Sequence, residues 1–172
     1  MLPDSIRFTG RILFLSEDPA RILRQLEGED LELEAATPLR DQISTDEITP
    51  AHICYHFDET LGDFPYLGLK CGGAFPVKAG SVRAGGFAVS VAGKRRGKGS
   101  SREASPYAEL CAGLRLVLAE SFERIYRQNC QNLGLLTSTD FGLVSRMHPH
   151  FLDDVFTALF TSEPAPSSLW QL

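Results

Sequence analysis

The chain has 172 residues, of which 43% are hydrophobic and 23% are charged, as in an ordinary single globular domain. Its formal net charge of −5 argues against a general nucleic-acid binder, because such proteins neutralise phosphates with lysine and arginine. No apolar run approaches the roughly 20 residues that cross a membrane, and the first residues lack the apolar segment of a secretory signal. We therefore expect a cytoplasmic protein with neither a membrane nor a nucleic-acid partner.

The four cysteines are widely spaced and form no C-x-x-C pair. This spacing predicts that the chain alone builds no zinc or iron–sulfur site, so we expect it to bind no metal. Cys111 and Cys130 fall in apolar helical contexts, where small reduced core residues are expected.

The first predicted element is a strand over residues 6–15, which are rich in β-branched and aromatic side chains. A helix should follow, with Asp18 as its cap, Pro19 at its first position and Gly28 beyond its end. Residues 31–35, LELEA, alternate between apolar and acidic side chains and predict a half-buried strand.

The middle of the chain is less regular. Residues 41–57 combine serine, threonine and aspartate with Pro50, which indicates an ordered loop. Glycines recur over residues 61–86 and favour turns with short strands. Residues 86–93, GFAVSVAG, predict a strand that ends in glycine.

Strands and helices alternate in the second half of the chain. A helix should follow the glycine-rich turn at residues 94–103, and residues 114–119 form a continuous apolar run typical of a buried strand. Ser121 is the predicted cap of another helix, with Gly134 as its stop. The alternation predicts an α/β fold.

The predicted domain covers residues 1–160 and shows no internal repeat. Residues 161–172 are rich in proline and serine, which is typical of a tail or linker.

The turn GKGSSRE, residues 97–103, has the composition of an anion-binding site. The first N–H groups of a helix lack intrahelical partners, and the helix dipole adds positive potential at the same place. Gly97 and Gly99 permit close backbone approach, while Ser100 and Ser101 add hydroxyl groups. Arg102 adds a planar fork that matches a carboxylate. A carboxylate- or phosphate-bearing ligand is therefore a candidate.

A structural alternative needs no ligand. Ser100 and Glu103 fit the S-x-x-E capping box, and Ser105 before Pro106 is a second plausible cap. The turn matches neither the Walker sequence nor G-x-G-x-x-G. Its basic run could be a solvated surface or a contact for an acidic partner; the run comprises Lys94, Arg95, Arg96 and Lys98.

Two motifs carry a family resemblance. Residues 97–136 contain G-x-G-S-S-R-E, a helix, a short apolar strand and an S-F-x-x-I-x-x-x-N helix that ends in G-L-L. Upstream, ISTDEITP at residues 43–50 fits T-D-x-I-x-P. Together they resemble the swivelling domain of the aconitase superfamily, which is also the small subunit of isopropylmalate isomerases. The resemblance implies an α/β fold, the aconitase-type swivelling β/β/α domain, with a mixed sheet flanked by helices.

The resemblance also implies a reaction and a set of roles. Aconitase-type enzymes remove and re-add water on hydroxy di- or tricarboxylic acids, with a four-iron four-sulfur cluster as the Lewis acid. Ser100 would be the base and Asp46 would support catalysis, while the substrate-binding residues would be Ser101, Arg102, Thr45 and Gly99. Since the chain shows no cluster ligands, the cluster is expected on a larger partner subunit or domain. The expected substrate is a small polycarboxylate.

The chain departs from the family pattern at two places. Ala104 stands where members often have histidine, and residues 51–64 hold no arginine to read a second substrate carboxylate. His52 or His56 could substitute, although a single loop histidine is more often a surface residue. The substrate therefore stays open. The alternative function is a non-catalytic module that keeps the fold and binds an anion or an acidic protein.

Overall fold

The computed structural model describes residues 9–56 and 58–144. The predicted tail, residues 161–172, lies outside the described residues, and the domain boundary at residue 160 stays a prediction. None of the helices in these ranges is long and apolar enough to cross a membrane.

A four-stranded sheet forms the centre of the fold, in the order β1-β2-β3-β4. Its strands are β1 (Arg11–Phe14), β2 (Phe87–Ala92), β3 (Leu116–Ala119) and β4 (Leu136–Ser138). All three described pairings are parallel, whereas a mixed sheet was expected. Every residue of β2 and β3 is buried, as is usual for parallel strands covered on both faces. The α/β class is confirmed.

Helices and short helical turns connect the strands. The α-helices are α1 (Pro19–Leu26), α2 (Leu33–Ala36), α3 (Thr45–Ile48), α4 (Ser81–Ala84), α5 (Ala104–Cys111) and α6 (Arg124–Leu133). Two 3₁₀ turns lie at Ala51–Ile53 and Glu59–Asp63.

Local sequence signals mark the start of α1 and the end of α6. Asp18 caps α1 by accepting a hydrogen bond from the Ala20 N–H at 2.9 Å, with a proline at the first position, as predicted. Gly134 ends α6 in the left-handed conformation, as predicted. Ser121 is not the cap of α6, because Glu123 occupies that position and the Ser121 hydroxyl accepts from the Arg95 N–H instead.

Three segments differ from the sequence predictions. Residues 31–35 do not form a strand, because the chain turns into α2 at Leu33. The predicted loop at 41–57 contains α3, which a capping box between Ser44 and Glu47 starts. Residues 61–86 contain an isolated bridge rather than the expected short strands, because the backbone there folds into α4 and a 3₁₀ turn.

Two apolar clusters cover the two faces of the sheet. Alternate strand residues supply them, with Leu13 and Val117 on one face and Phe14 and Leu118 on the other. All four cysteines are free. Cys130 is buried as predicted, whereas Cys111 is only partly buried. Burial raises the pKa of the Cys130 thiol to about 12 and that of Cys71 to about 11, so both stay protonated at neutral pH.

Candidate active site

The two sequence motifs meet in space beyond the end of β2. The N–H groups of Gly97 and Lys98 both donate to the Ile43 carbonyl, at 2.8 and 3.1 Å. In return the Thr45 N–H donates to the Lys98 carbonyl at 2.8 Å. The segment at residues 43–50 and the turn at residues 97–103 therefore form one unit, which we call the double-loop site.

Ser100 and Ser101 are exposed on this site. The Thr45 hydroxyl donates to the Ser100 carbonyl at 3.1 Å and lies 3.5 Å from the Ser100 hydroxyl. Ser100 is not a helix cap, because α5 begins at Ala104 and its N-cap residue, Glu103, has no side-chain capping bond. The capping-box explanation of the serine therefore fails, and the Ser100 hydroxyl is accessible for other chemistry.

Arg102 joins the two loops through an ion pair. Its Nη1 pairs with Asp46 Oδ1 and also donates to the Thr49 carbonyl at 3.2 Å. Among the described residues both contacts use the same nitrogen, so Nε and Nη2 of the fork stay available for a ligand. Asp46 thus holds the arginine in place, and its own side chain is 61% exposed.

Thr45 and Gly99 lie on opposite sides of the turn, Thr45 beneath it and Gly99 at its exposed surface. Thr45 is only 2% exposed and lies behind the turn, where its carbonyl accepts from the Ser105 hydroxyl at 3.1 Å. Gly99 is exposed and has a φ of 112°, which other residues rarely adopt. Gly99 can therefore approach a ligand, while Thr45 supports the turn from within.

A second glycine is required for packing. Gly97 has a φ of 83°, and a Cβ at this position would lie 2.1 Å from the Tyr126 ring. The aromatic ring therefore packs against bare backbone. This contact fixes the distance between the turn and α6.

The basic run is not uniformly solvated, and two of its exposed cations form ion pairs. Arg95 pairs with Glu123 at 2.8 Å, and Lys94 lies 3.7 Å from Glu120. Arg96 is fully buried and pairs with Glu109 of α5. Sequence reasoning missed this buried pair; a glutamate within the apolar stretch of α5 was the available signal.

An open cleft of about 630 Å³ borders the turn. Its lining includes Lys98, Gly99 and the Arg40–Glu47 ion pair, whose charged atoms are 3.0 Å apart. Because the cleft is open, water reaches the turn from this side.

The histidines and cysteines build no metal centre in the described part of the chain, since no three of its His, Cys, Asp or Glu residues are grouped to hold an ion. His52 is exposed, and the ring of His56 stacks on Phe64 with centroids 5.5 Å apart.

Comparisons with known proteins identify relatives of this chain. The model of the aconitase C-terminal domain matches residues 74–139, which include the turn. A 3-isopropylmalate dehydratase small subunit from Nitratidesulfovibrio vulgaris is 41% identical over 97 residues, covering 56% of this chain and 54% of the relative. The isopropylmalate/citramalate isomerase small subunit of Methanocaldococcus jannaschii is 38% identical over 96 residues, covering 55% and 53%. The resemblance to the aconitase superfamily is thereby confirmed.

A solved structure is also similar in sequence. The 3-isopropylmalate dehydratase structure from Methanocaldococcus jannaschii is 35% identical, with a TM-score of 0.46, and the match covers 56% of this chain and 55% of that one. The chain thus spans about half the length of the curated relatives that it matches.

Proposed function

We propose that this chain is the small subunit, or a detached swivelling domain, of an aconitase-like hydro-lyase or isomerase. The complex would dehydrate and rehydrate a hydroxy di- or tricarboxylic acid. The observation that carries the proposal is the double-loop site, in which Asp46 holds Arg102 beside two exposed serine hydroxyls. Relatives described as isopropylmalate dehydratase small subunits support the same assignment.

The proposed roles follow from the contacts. Ser100 would take the proton from the carbon next to a carboxylate, because its hydroxyl is exposed and not used as a cap. Ser101 and the free side of the Arg102 fork would bind a substrate carboxylate, with Gly99 allowing close approach. Asp46 would act through Arg102, and Thr45 would act through the carbonyl of Ser100.

The chemistry requires a second surface over the site. A serine hydroxyl is a very weak acid, and a helix N-terminus offers only ~0.3–2 kcal/mol toward an alkoxide. Ser100 and Ser101 are exposed, so water would screen the helix dipole and the charge of Arg102 at this site. A partner that closes the site would exclude that water and strengthen the contribution of Arg102.

The proposed partner is a larger subunit or domain that carries a four-iron four-sulfur cluster. The described residues of this chain offer no ligand set for such a cluster. When bound to the partner, the cluster would act as a Lewis acid toward the substrate hydroxyl. The four free cysteines support a reducing compartment such as the cytoplasm, and the net charge of −5 supports a partner other than nucleic acid.

A non-catalytic binding module is the second candidate. Ala104, which stands where family members often carry histidine, favours it. Such a module would bind an anion or an acidic protein at the same turn without turning over a hydroxy acid.

Anaerobic purification of the tagged chain from its native cells tests the two candidates. The enzyme proposal predicts a brown, iron-containing larger polypeptide and a complex that dehydrates isopropylmalate or citramalate, while the isolated chain is inactive. A parallel purification of an unrelated tagged chain controls for nonspecific capture. An iron-free preparation without activity on either acid would favour the binding module.

A further inference from the structure

A buried ion pair spans the base of the double-loop site. Arg96 immediately precedes the turn that carries Ser100, and Glu109 lies in α5, which follows the turn. Both side chains are fully buried, and Arg96 Nη2 contacts Glu109 Oε1. The pair therefore connects the segment before the proposed base with the helix after it.

Three further side chains form hydrogen bonds with the ion pair. Arg96 Nη2 donates to the Ser90 hydroxyl of β2 at 2.8 Å and to the Tyr66 hydroxyl at 2.5 Å. Tyr66 donates to Glu109 Oε1 at 2.6 Å, and the Tyr126 hydroxyl of α6 donates to Glu109 Oε2. One network thus fixes the turn to the sheet and to both long helices nearby.

Backbone hydrogen bonds also hold Arg96. The Arg96 N–H donates to the Ser121 carbonyl at 3.0 Å, and the Arg96 carbonyl accepts from the Glu123 N–H at 2.9 Å. The next residue, Gly97, packs under the Tyr126 ring. Arg96 is therefore held by its backbone as well as by its side chain.

Stability alone is a poor explanation for the ion pair. Removing two charges from water is costly, and apolar replacements of buried pairs are often neutral or stabilising. Here Arg96 Nε and Nη1 also lack partners among the described residues. Burial by itself would lower the pKa of Arg96, but the neighbouring Tyr66, Tyr126 and Glu109 raise it well above its usual value, so the charge persists.

The backbone of Tyr66, a member of the network, has an unfavourable conformation. It has a φ of 64°, which is rare for a bulky residue, and its N–H donates to the Ile48 carbonyl at 2.7 Å. Such conformations persist where the surroundings require them, and they cluster at functional sites.

We infer that Arg96 and Glu109 are positioning residues whose buried ion pair holds the turn of Ser100 and Arg102 in one geometry. The ordering of the turn follows from the network itself, whereas its catalytic consequence rests on the proposed function. The Arg102 side chain is anchored to Asp46 and to the Thr49 carbonyl, whereas Thr45 holds Ser100 through its carbonyl. Loss of the network should therefore displace the Ser100 hydroxyl more than the Arg102 guanidinium.

The test replaces the network by apolar groups of similar volume. The variant Arg96→Met/Glu109→Leu/Tyr126→Phe removes the ion pair. It also removes the Tyr126 hydroxyl, which would otherwise lose Glu109 as its acceptor. The Tyr66 hydroxyl can still donate to the Ser90 hydroxyl, which lies 2.9 Å away. Tyr126→Phe also keeps the ring over Gly97. Glu109→Asp is a second variant, which retains the charge but shortens the reach, in case the triple variant does not fold.

Amide hydrogen exchange in the full-length chain is the first measurement. The Gly97 and Lys98 amides report on the turn, because both donate to Ile43, and the Leu15 amide reports on the core, because it donates to Val91 at 2.8 Å. We expect the protection of the turn amides, relative to Leu15, to fall by at least about tenfold in either variant. The control Arg95→Gln/Glu123→Gln removes the exposed ion pair of the same turn and should leave this ratio within about threefold of wild type. An equal ratio in the network variants and the control would overturn the inference.

Kinetics of the assembled complex supply the second measurement. Because Ser100 is displaced while Arg102 stays anchored, kcat should fall by at least about tenfold with KM within about threefold. Unchanged kcat in a variant whose turn has lost protection would overturn the catalytic part of the inference. Hydrogen exchange needs no activity, so failure of the proposed function would leave the ordering result standing.

Discussion

The Thr45 hydroxyl donates a hydrogen bond to the Ser100 carbonyl at 3.1 Å and thereby joins two loops that are far apart in the sequence. Thr45 is 2% exposed, so the bond lies beneath the surface that carries the serines. The geometry of the proposed base therefore depends on the segment at residues 43–50 as well as on its own turn.

Thr45→Val should test this bond with little change in volume. We expect the free energy of unfolding to fall by about 0.5–1.5 kcal/mol, the usual net contribution of one hydrogen bond. Thr49→Val is the matched control, because the Thr49 hydroxyl is buried without a partner among the described residues. Its stability should be unchanged or higher by up to about 1 kcal/mol. Equal destabilisation of the two variants in urea unfolding would contradict the assignment.

Gly97→Ala should disrupt the contact between the turn and α6. The new methyl group would meet the Tyr126 ring at 2.1 Å, at a φ of 83°. We expect a loss of about 2–4 kcal/mol from overpacking and backbone strain together. Gly134→Ala has a similar φ of 79° but nothing within 4 Å of the added Cβ, so it should cost only about 1–2 kcal/mol. Comparable midpoints in denaturant for the two variants would show that the ring does not require a glycine.

Arg102→Lys should weaken substrate binding although it keeps the charge. Lysine can still pair with Asp46, but it lacks the planar guanidinium, whose remaining N–H groups can donate to a substrate carboxylate. In the assembled complex we expect KM to rise by about tenfold or more, with the unfolding free energy within about 0.5 kcal/mol of wild type. Equal KM for the wild-type and lysine enzymes would remove the clamp role.

Alkaline pH should destabilise the fold. Burial raises the pKa of Cys130 from 9.0 to about 12, and burial also raises the pKa of Tyr126 above its usual value of 10.0. These groups ionise more readily in the unfolded chain, so their stabilising contribution is complete below about pH 9 and is lost as the pH rises toward 12. Each adds a slope of at most about 1.4 kcal/mol per pH unit. Urea midpoints between pH 7 and the onset of alkaline unfolding measure this loss, and Cys130→Ala should reduce the slope.

The sequence predicted those features that depend on local signals. Asp18 with the following proline marks the start of α1, and Gly134 marks the end of α6, because capping depends on a few adjacent residues. The apolar runs predicted the strands β2 and β3, and the continuous run at residues 114–119 also predicted that β3 is buried. The two motifs also identified the residues that meet in the double-loop site, although their contacts could not be known.

Features that depend on distant contacts were missed. LELEA is too short for its alternation to decide between strand and helix, and tertiary packing favours α2. Arg96 looks like one more exposed cation in its run, and only the fold shows that Glu109, Tyr66 and Tyr126 surround it. The sequence also does not reveal that Thr45 is buried beneath the turn, where its hydroxyl bonds to the Ser100 carbonyl.

The most direct test of the account is the turnover of Ser100→Ala in the complex with the proposed large subunit. Ser100 is exposed and caps no helix, so its loss should leave the unfolding free energy within about 0.5 kcal/mol of wild type. We predict that kcat falls by at least about a thousandfold while substrate or inhibitor affinity stays within a few-fold, because only the proton acceptor is removed. Ser101→Ala should instead affect mainly KM. A folded Ser100→Ala complex that retains more than about a tenth of wild-type turnover would contradict the assignment of Ser100 as the base.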